Sequence, residues 1–489
     1  MTRLRSNRGL CRTWPEVLRP WALAALVGAW TLAPPPAAAE TLRQALAAAY
    51  KFNPRLDAER ARLRATDEEV PRAKSGYRPS ITGSADVGYQ RTETKPSTGG
   101  ASETHPKGYG VTATQPIFSG FRTVNSVRAA EATVRAGRES LRIVEQSVLL
   151  EAVTAYVDVV RDQAIVRLRE NNVNVLTREL RATQDRFSVG EVTRTDVAQA
   201  EARRAASVSA LDLARANLKT SRATYERVVG HPPSNLEEPR AQDRRLPTSV
   251  NEAVSIGSKE SPNVVAALYL EQAARHTVDL IWGELLPTVQ VDADYAKRFD
   301  QSSGIDESEA TSVTGRVVVP FYEGGEVRAR IRQAKHTHVS RLQEVEQART
   351  ENQALAVSAW SLLMASRAQL ESDQVQVTAS RTALTGVREE ERVGQRTLLD
   401  VLNAEQELLN AEVQLATTRR NLVVASYNVL SSVGRLTAAD IAVTAEVYDP
   451  EVHYHEVRRK WFGISITRPD GSREHHDFWP TQVKPEPKK

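Results

Sequence analysis

The chain repeats its own plan at a fixed distance, and that repetition limits the folds open to it more than any other feature. Val189-Gly190-Glu191-Val192-Thr193-Arg194-Thr195-Asp196-Val197 aligns with Val393-Gly394-Gln395-Arg396-Thr397-Leu398-Leu399-Asp400-Val401 at an offset of 204 residues. Pro116-Ile117-Phe118-Ser119-Gly120 pairs with Pro320-Phe321-Tyr322-Glu323-Gly324 at the same offset. Farther upstream, Asn53-Pro54 pairs with Ser261-Pro262 and Tyr77-Arg78-Pro79 with Leu285-Leu286-Pro287, now at 208. The four-residue difference therefore falls between Pro79 and Pro116.

That interval is where each half stops looking helical. From Ile81 the residues alternate, with Ile81, Gly83, Ala85, Val87 and Tyr89 on one side and Thr82, Ser84, Asp86, Gly88 and Gln90 on the other. The second copy sets Val289, Val291, Ala293 and Tyr295 against Gln290, Asp292 and Asp294. A return strand is expected at about Tyr109 to Gln115 and Val313 to Val319, each closed by a proline, with loops at Thr92 to Pro106 and Gln301 to Ala310. Each half thus predicts one β-hairpin facing two environments, over about residues 80–116 and 288–320. If the apolar side meets lipid, Ile81, Val87, Tyr89, Val289, Val291 and Tyr295 are the lipid-facing positions, and Asp86 and Asp294 face a lumen.

The rest predicts long helix. Apolar and small residues from Val401 run through Ala404, Leu408, Ala411, Leu415, Thr418, Leu422, Ala425 and Val429, alternately three and four apart. Subtracting 204 gives Leu211, Ala214, Leu218, Ser221 and Tyr225. No proline interrupts Pro116 to Pro232 or Pro320 to Pro450, so a helix of about 65 residues from Gly120 to Val189 would be roughly 100 Å long. Such helices cannot enclose a compact core and must pack as antiparallel pairs that reverse at Gly190 and Gly394. Two hairpins supply four strands, too few to close a barrel, and free strand edges do not survive in hydrocarbon. Oligomerisation is therefore expected; three chains supply twelve strands.

Residues 1–39 read as a secretory signal: Arg3, Arg5, Arg8, Arg12 and Arg19 precede an apolar core from Trp21 to Leu32, and Ala37-Ala38-Ala39 offers a cleavage site before Glu40. That segment holds five of the 65 basic and one of the 61 acidic residues, so the remainder carries 60 of each and gives no basis for a nucleic-acid partner. Cys11, the single cysteine, precedes the apolar core, so the exported chain is expected to lack disulfide, thiol and lipid anchor. After residue 40 no run is apolar for about 18 residues, the length a spanning helix requires.

On these residues the chain resembles the TolC family of outer-membrane channels over about residues 41–440. The likeness rests on the duplicated helix, hairpin, helix order, the Pro-Ile-Phe-Ser-Gly and Pro-Phe-Tyr-Glu-Gly segments, and the two Val-Gly turns followed by Thr and Asp. Thr41-Leu42-Arg43-Gln44-Ala45-Leu46 leading to Asn53-Pro54 looks most like the type I secretion branch. The resemblance implies a membrane α+β fold: a homotrimer with a twelve-stranded β-barrel in the outer membrane, continued by an α-helical coiled-coil tunnel into the periplasm. It implies an equatorial belt near Glu238 to Pro247 and after Thr437. Its implied partners are outer-membrane lipid, a periplasmic adaptor (membrane fusion protein), and an inner-membrane ABC transporter or proton-driven efflux pump. The implied role is a passive exit duct for type I secretion, multidrug efflux or both.

The resemblance also assigns an entrance. Asp400 takes the first of two aspartate-ring positions, Asn403 stands at the second, Arg396 matches an arginine linking neighbouring subunits, and Asp196 with Thr195 matches its partners. The helical tips, Val189, Gly190, Thr193, Val393, Gly394 and Thr397, are where an adaptor is expected to dock. Read without the resemblance, Asp196 and Asp400 are carboxylates at helix starts, favoured there by the helix dipole. Four units follow: signal 1–39, first repeat 40–248, second repeat 249–440, and a partly disordered periplasmic tail 441–489. No enzymatic motif, metal signature or cofactor site is expected; His336 and His338 lie off a common helix face, and His453, His455, His475 and His476 match no ligand spacing. A soluble periplasmic coiled-coil scaffold or adaptor explains the signal and the helices but leaves the two hairpins unexplained.

Overall fold

A computed structural model describes residues 39–93, 101–242, 245–302, 304–441, 447–467 and 472. Residues 1–38 of the expected signal segment 1–39 lie outside the described residues.

The duplication is visible residue by residue. Helices α4 (Arg122–Ser188) and α8 (Glu326–Arg392) each contain 67 residues and keep the offset of 204 at both ends. They return as α5 (Arg194–Val229) and α9 (Leu398–Ser432). Upstream, α1 (Leu42–Phe52) and α6 (Val250–Glu260) match at 208. The single helix α7 (Pro262–Trp282) corresponds to two pieces, α2 (Pro54–Asp67) and α3 (Glu69–Lys74). Pro71 accounts for the break: it lacks an N–H and its ring meets the carbonyl of Asp67 one turn back, whereas the second copy has Asp279 there.

Each long helix packs on its return partner along the expected seam. Leu211, Ala214 and Tyr225 are buried against α4, and Val401, Ala411, Thr418, Ala425 and Val429 are buried on α9. Each pair also carries one buried carboxylate clamp, Ser221 Oγ donating to Asp162 at 2.5 Å and Thr418 Oγ1 donating to Asp373 at 2.6 Å. A buried polar pair is satisfied in one register only, so these clamps fix the axial alignment of seams built from small, interchangeable residues.

The strands β1 (Ser80–Val87), β4 (Lys107–Ser119), β5 (Thr288–Ser302) and β6 (Ile305–Val318) form one antiparallel sheet in the order β1-β4-β5-β6. The short pair β2 (Gln90–Thr92) and β3 (Ser102–Thr104) stands beyond it. Four expectations are corrected. Gln301 to Ala310 is not a loop: β5 and β6 run on to a tight turn at Gly304, whose φ of 95° lets the chain reverse there. Thr92 to Pro106 is partly strand, with 94–100 outside the described residues. Pro116 lies inside β4 rather than closing it, at a bulge between Pro116 and Phe118 where a missing N–H is tolerated. Tyr89 falls after β1, because Gly88 donates to Pro106 O at 2.8 Å and the alternation stops there.

The hydrophobic core sits halfway along α4, where α1, α5, α9 and the segment before α6 converge. Tyr156, Tyr225 and Tyr427 are its largest fully buried side chains. Tyr225 donates to Glu40 Oε1 and the Tyr156 hydroxyl lies 2.7 Å from the carbonyl oxygens of both Glu40 and Glu237. Glu40 in turn pairs with Leu236 as a short parallel bridge. Burial raises both tyrosine hydroxyls well above their ordinary range, so they stay protonated donors. Tyr156→Phe removes the one hydroxyl proton that the Glu40 and Glu237 carbonyls share, and a thermal melt should record a loss of about 1–3 kcal/mol; an unchanged melting temperature would show that the 231–240 segment is held by its backbone bonds to Glu40 and by packing.

Candidate functional site

Both tips are built alike. After Ser188 the chain passes Val189, and Gly190 adopts φ +84° with its N–H donating to Phe187 O and the Glu191 N–H donating to Arg186 O, both at 3.0 Å. Gly394, at φ +77°, repeats this with Glu391 O at 2.9 Å and, through Gln395 N–H, Glu390 O at 2.9 Å. These paired bonds close the last turn of a helix through a glycine in the left-handed region. A Cβ at either glycine meets nothing within 4 Å, so backbone conformation and not crowding demands glycine. Val189 and Val393 are exposed beside them.

Each return helix then starts on a reciprocal cap. Thr193 Oγ1 accepts from Asp196 N–H, and Asp196 Oδ2 accepts from the Thr193 N–H at 2.9 Å and its hydroxyl at 2.7 Å. Thr397 and Asp400 repeat the arrangement at 3.0 and 2.8 Å. The hydrogen bonds from these threonines hold both carboxyls below the usual aspartate range. Their share of cap stability is therefore present at neutral pH and lost as pH falls through the depressed value. The Thr-x-x-Asp spacing in each copy carried this signal in the sequence. Thr195 lies exposed in the first turn of α5, outside the cap.

Within one chain the structure does not join Arg396 to Asp196. Arg396 Nε donates instead to Glu390 Oε2 at 2.9 Å, inside its own tip. Two other links tie the tips together: Arg186 to Glu391 at 2.7 Å, and Arg203 Nη2 donating to Asn403 Oδ1 at 2.9 Å. Arg203 was not legible in the sequence, because the repeat places Glu407 at the equivalent position and the α5–α9 contact follows no linear pattern. A guanidinium thus stands against the Asn403 amide. Just above, Glu405 is buried on α9 and held by Arg388 at 2.5 Å.

At the other end, the register gathers the alternating residues onto two faces. Ile81, Ala113, Ala293 and Val313 form one cross-strand row and Val111, Tyr295 and Thr311 the next, with Val289 opposite Val317 and Val291 on the same face. The opposite face carries Thr82, Asp86, Thr112, Asp292, Asp294, Arg298 and Arg316. Thr112 donates to Asp294 at 2.7 Å and Arg298 to Asp86 at 3.2 Å. Val87 shares its row with Lys107, Phe299 and Glu307, at the rim of the apolar band. The band from Val289 to Tyr295 is about 20 Å long at 3.3 Å per residue. Among the described residues no helix is long and apolar enough to cross a membrane, and no cluster of His, Cys, Asp and Glu is arranged to hold a metal.

Residues 45–231 and 257–435 match the family described as outer membrane efflux protein. Over 453 residues the chain is 41% identical to the outer membrane efflux protein BepC of Brucella suis, covering 92% of this chain and 97% of that one. It is 23% identical over 417 residues to the outer membrane protein TolC of Escherichia coli, covering 82% and 84% of the two chains. The fold is shared with the crystal structure of the Campylobacter jejuni CmeC outer membrane channel, with a TM-score of 0.73, 16% identity, and coverage of 86% of this chain and 89% of that one.

The tip geometry predicts a local effect of substitution. Gly190→Val or Gly394→Val forces a β-branched residue into the left-handed region at about 1–2 kcal/mol, and Thr397→Ala removes a cap worth about 0.5–2 kcal/mol. Hydrogen exchange should accelerate in the tips with the global melting temperature unchanged. Exchange confined to wild-type rates would show that the tips are held by something other than these turns.

Proposed function

Because this chain belongs to the outer membrane efflux protein family, we propose that it works as a homotrimer whose entrance and tips are formed by the residues described above. The chain is an outer-membrane channel subunit with a periplasmic tunnel, a passive duct for type I secretion or efflux and not an enzyme. One observation carries the trimer: β1 and β6 each have a strand on one side only, so the sheet has two open edges. Three copies joined β6 to β1 make a closed barrel of twelve strands, and closure is what hydrocarbon requires of a sheet. The apolar face then meets lipid through Ile81, Val289, Val291 and Tyr295, with Val87 at the rim, and the face bearing Asp86 and Asp294 lines the lumen.

Its relatives include an outer membrane efflux protein and an alkaline protease secretion protein, and a passive duct in either setting needs partners that span the periplasm and the inner membrane. For this chain the docking surface is assigned to the two tips, where Val189 and Val393 are exposed beside Gly190 and Gly394 and near Thr193 and Thr397. An adaptor and an ABC transporter or proton-driven pump would supply recognition and energy. Detergent-requiring, heat-modifiable trimers in the outer-membrane fraction test the trimer, and release by osmotic shock would instead support a soluble scaffold. Val313→Arg, on the apolar face, should lower trimer yield far more than Ser312→Arg on the polar face, since a lipid-facing charge costs about 2–4 kcal/mol at the midplane. Equal yields would remove the lipid-facing assignment.

At the entrance, Asp400 supplies one carboxylate per chain and three in the trimer. Asn403 supplies none, and Arg203 beside it adds a positive charge, so the second ring is neutral to cationic. Arg396, with Thr195 and Asp196 of a neighbouring chain, is assigned to the contact that holds the mouth closed. Asn403→Asp alone should strengthen divalent-cation block of single-channel current only slightly, because Arg203 neutralises the new carboxylate. The double variant Arg203→Gln/Asn403→Asp should strengthen it about fivefold more, the equivalent of roughly 1 kcal/mol. Equal block in the single and double variants would place Arg203 away from the ion path.

A further inference from the structure

Beyond the family match, the chain continues into α10 (Pro450–Val457), which packs along α2 and reaches α4 through side chains. His453 Nδ1 sits 2.9 Å from the fully buried Asp67, Arg138 pairs with Glu451 at 2.8 Å while its guanidinium covers the Tyr454 ring, and Arg458 reaches Glu131. These contacts carry the tail from the equator toward the sheet. Past α10 the chain makes a closed loop, reversing at Gly463 (φ 96°), with Lys460 Nζ donating to Ser465 O at 2.8 Å and Thr467 returning to Glu456 at 3.0 Å. The loop stands at the foot of the barrel, because Arg78 stacks on Trp461 at 4.6 Å and Arg78 is two residues before β1.

The loop's composition is unusual for that position. Trp461, Phe462, Ile464 and Ile466 all point into solvent within six residues, Phe462 at 87% exposure. Around their base stand Lys74, Arg78, Arg458, Arg459 and Lys460, of which Arg458 alone makes an ion pair among the described residues. Burial and the neighbouring charges of Arg458, Arg459 and Arg78 push the Lys74 ammonium below the ordinary lysine range, opposed by Glu131. The cluster thus gathers five cations, with Glu131 and Glu456 as carboxylates beside them. Clustered bases beneath exposed Trp, Phe and Ile form the pattern that binds an anionic bilayer surface, with aromatic rings at headgroup depth.

We propose that residues 458–466 are an interfacial anchor that rests on the periplasmic leaflet of the outer membrane, the bases against lipid phosphates and Trp461 and Phe462 in the boundary between headgroups and acyl chains. The loop is joined through Arg78 to the residues that enter β1, so the reading rests on the apolar barrel face meeting lipid. The anchor would fasten α10, and through Asp67 and Glu131 the upper tunnel, to the membrane beside the barrel.

The exported chain has no cysteine after Cys11, so single labels are available. Phe462→Cys carries an environment-sensitive fluorophore, with Val313→Cys as the barrel control. Full-length trimers are placed in phosphatidylethanolamine–phosphatidylglycerol vesicles and, separately, in amphipol. We expect headgroup-level doxyl lipids to quench the 462 label, doxyl groups deeper along the acyl chain to quench the 313 label, and iodide quenching at 462 to fall about threefold from amphipol to vesicles. Arg459→Glu/Lys460→Glu should at least halve the lipid quenching at 462, as should omitting phosphatidylglycerol. A 462 label equally open to iodide in both preparations, with the 313 label quenched by lipid, overturns the anchor and leaves the barrel intact. A 462 label shielded equally in both means that a neighbouring chain covers the loop, which also overturns it. Loss of lipid quenching at 313 overturns the barrel reading and the anchor with it.

Discussion

A strand in hydrocarbon has no water to satisfy its backbone, and this governs the rest of the molecule. β1 and β6 each leave one line of donors and acceptors without a neighbour in the chain. Only another copy presenting the opposite edge satisfies both lines at once, and symmetry then repeats the solution around a ring. The ring sets the spacing of everything below it. Helices α4 and α8 leave the sheet through glycines in the left-handed region, Gly120 before α4 and Gly325 before α8, so strand spacing at the barrel is handed directly to helix spacing in the tunnel.

The tunnel has a different physical problem, since 67-residue helices expose far more surface than they bury. Seams of alanine, serine and leucine bring the return helices close but specify register poorly, as small residues fit several alignments. The clamps at Asp162 and Asp373 supply the missing specification. Halfway down, short segments are tied across the long helices by bonds to Tyr156, Tyr225 and Tyr427, and by Arg435 gripping Glu260 at 2.9 and 3.0 Å. Ion pairs exposed elsewhere on the tunnel contribute little by comparison.

At the tips the same carboxylates serve two purposes. Asp196 and Asp400 are first of all helix caps, each committing one oxygen to its threonine, and any entrance ring is built on carboxylates already so fixed. A carboxylate held below its usual range stays charged through mild acidification. Farther along the return helices, Arg203 from one repeat meets Asn403 from the other, so the charge there is set by neither repeat alone.

Period and spacing were enough to establish the duplication, the four strands, the lengths of the long helices and the glycine reversals, because each depends on residues close in sequence. The alternation from Ile81 to Val87 and from Val289 to Tyr295 named the apolar face before any register was known. The extents of β5 and β6 were not legible, since Gln301 to Ala310 is as rich in Ser, Gly and acidic residues as a loop, and only pairing with the opposite strand keeps it extended. Nor could the sequence place Arg203 at Asn403, turn Arg396 toward Glu390, or bring His453 onto Asp67, a separation of 386 residues. Those contacts lie between helices whose rotation about their own axes is fixed only by packing. The sequence determined which elements exist and which faces are apolar; the tertiary structure decided which charges meet, because a charge reaches as far as its partner's position in space and not along the chain.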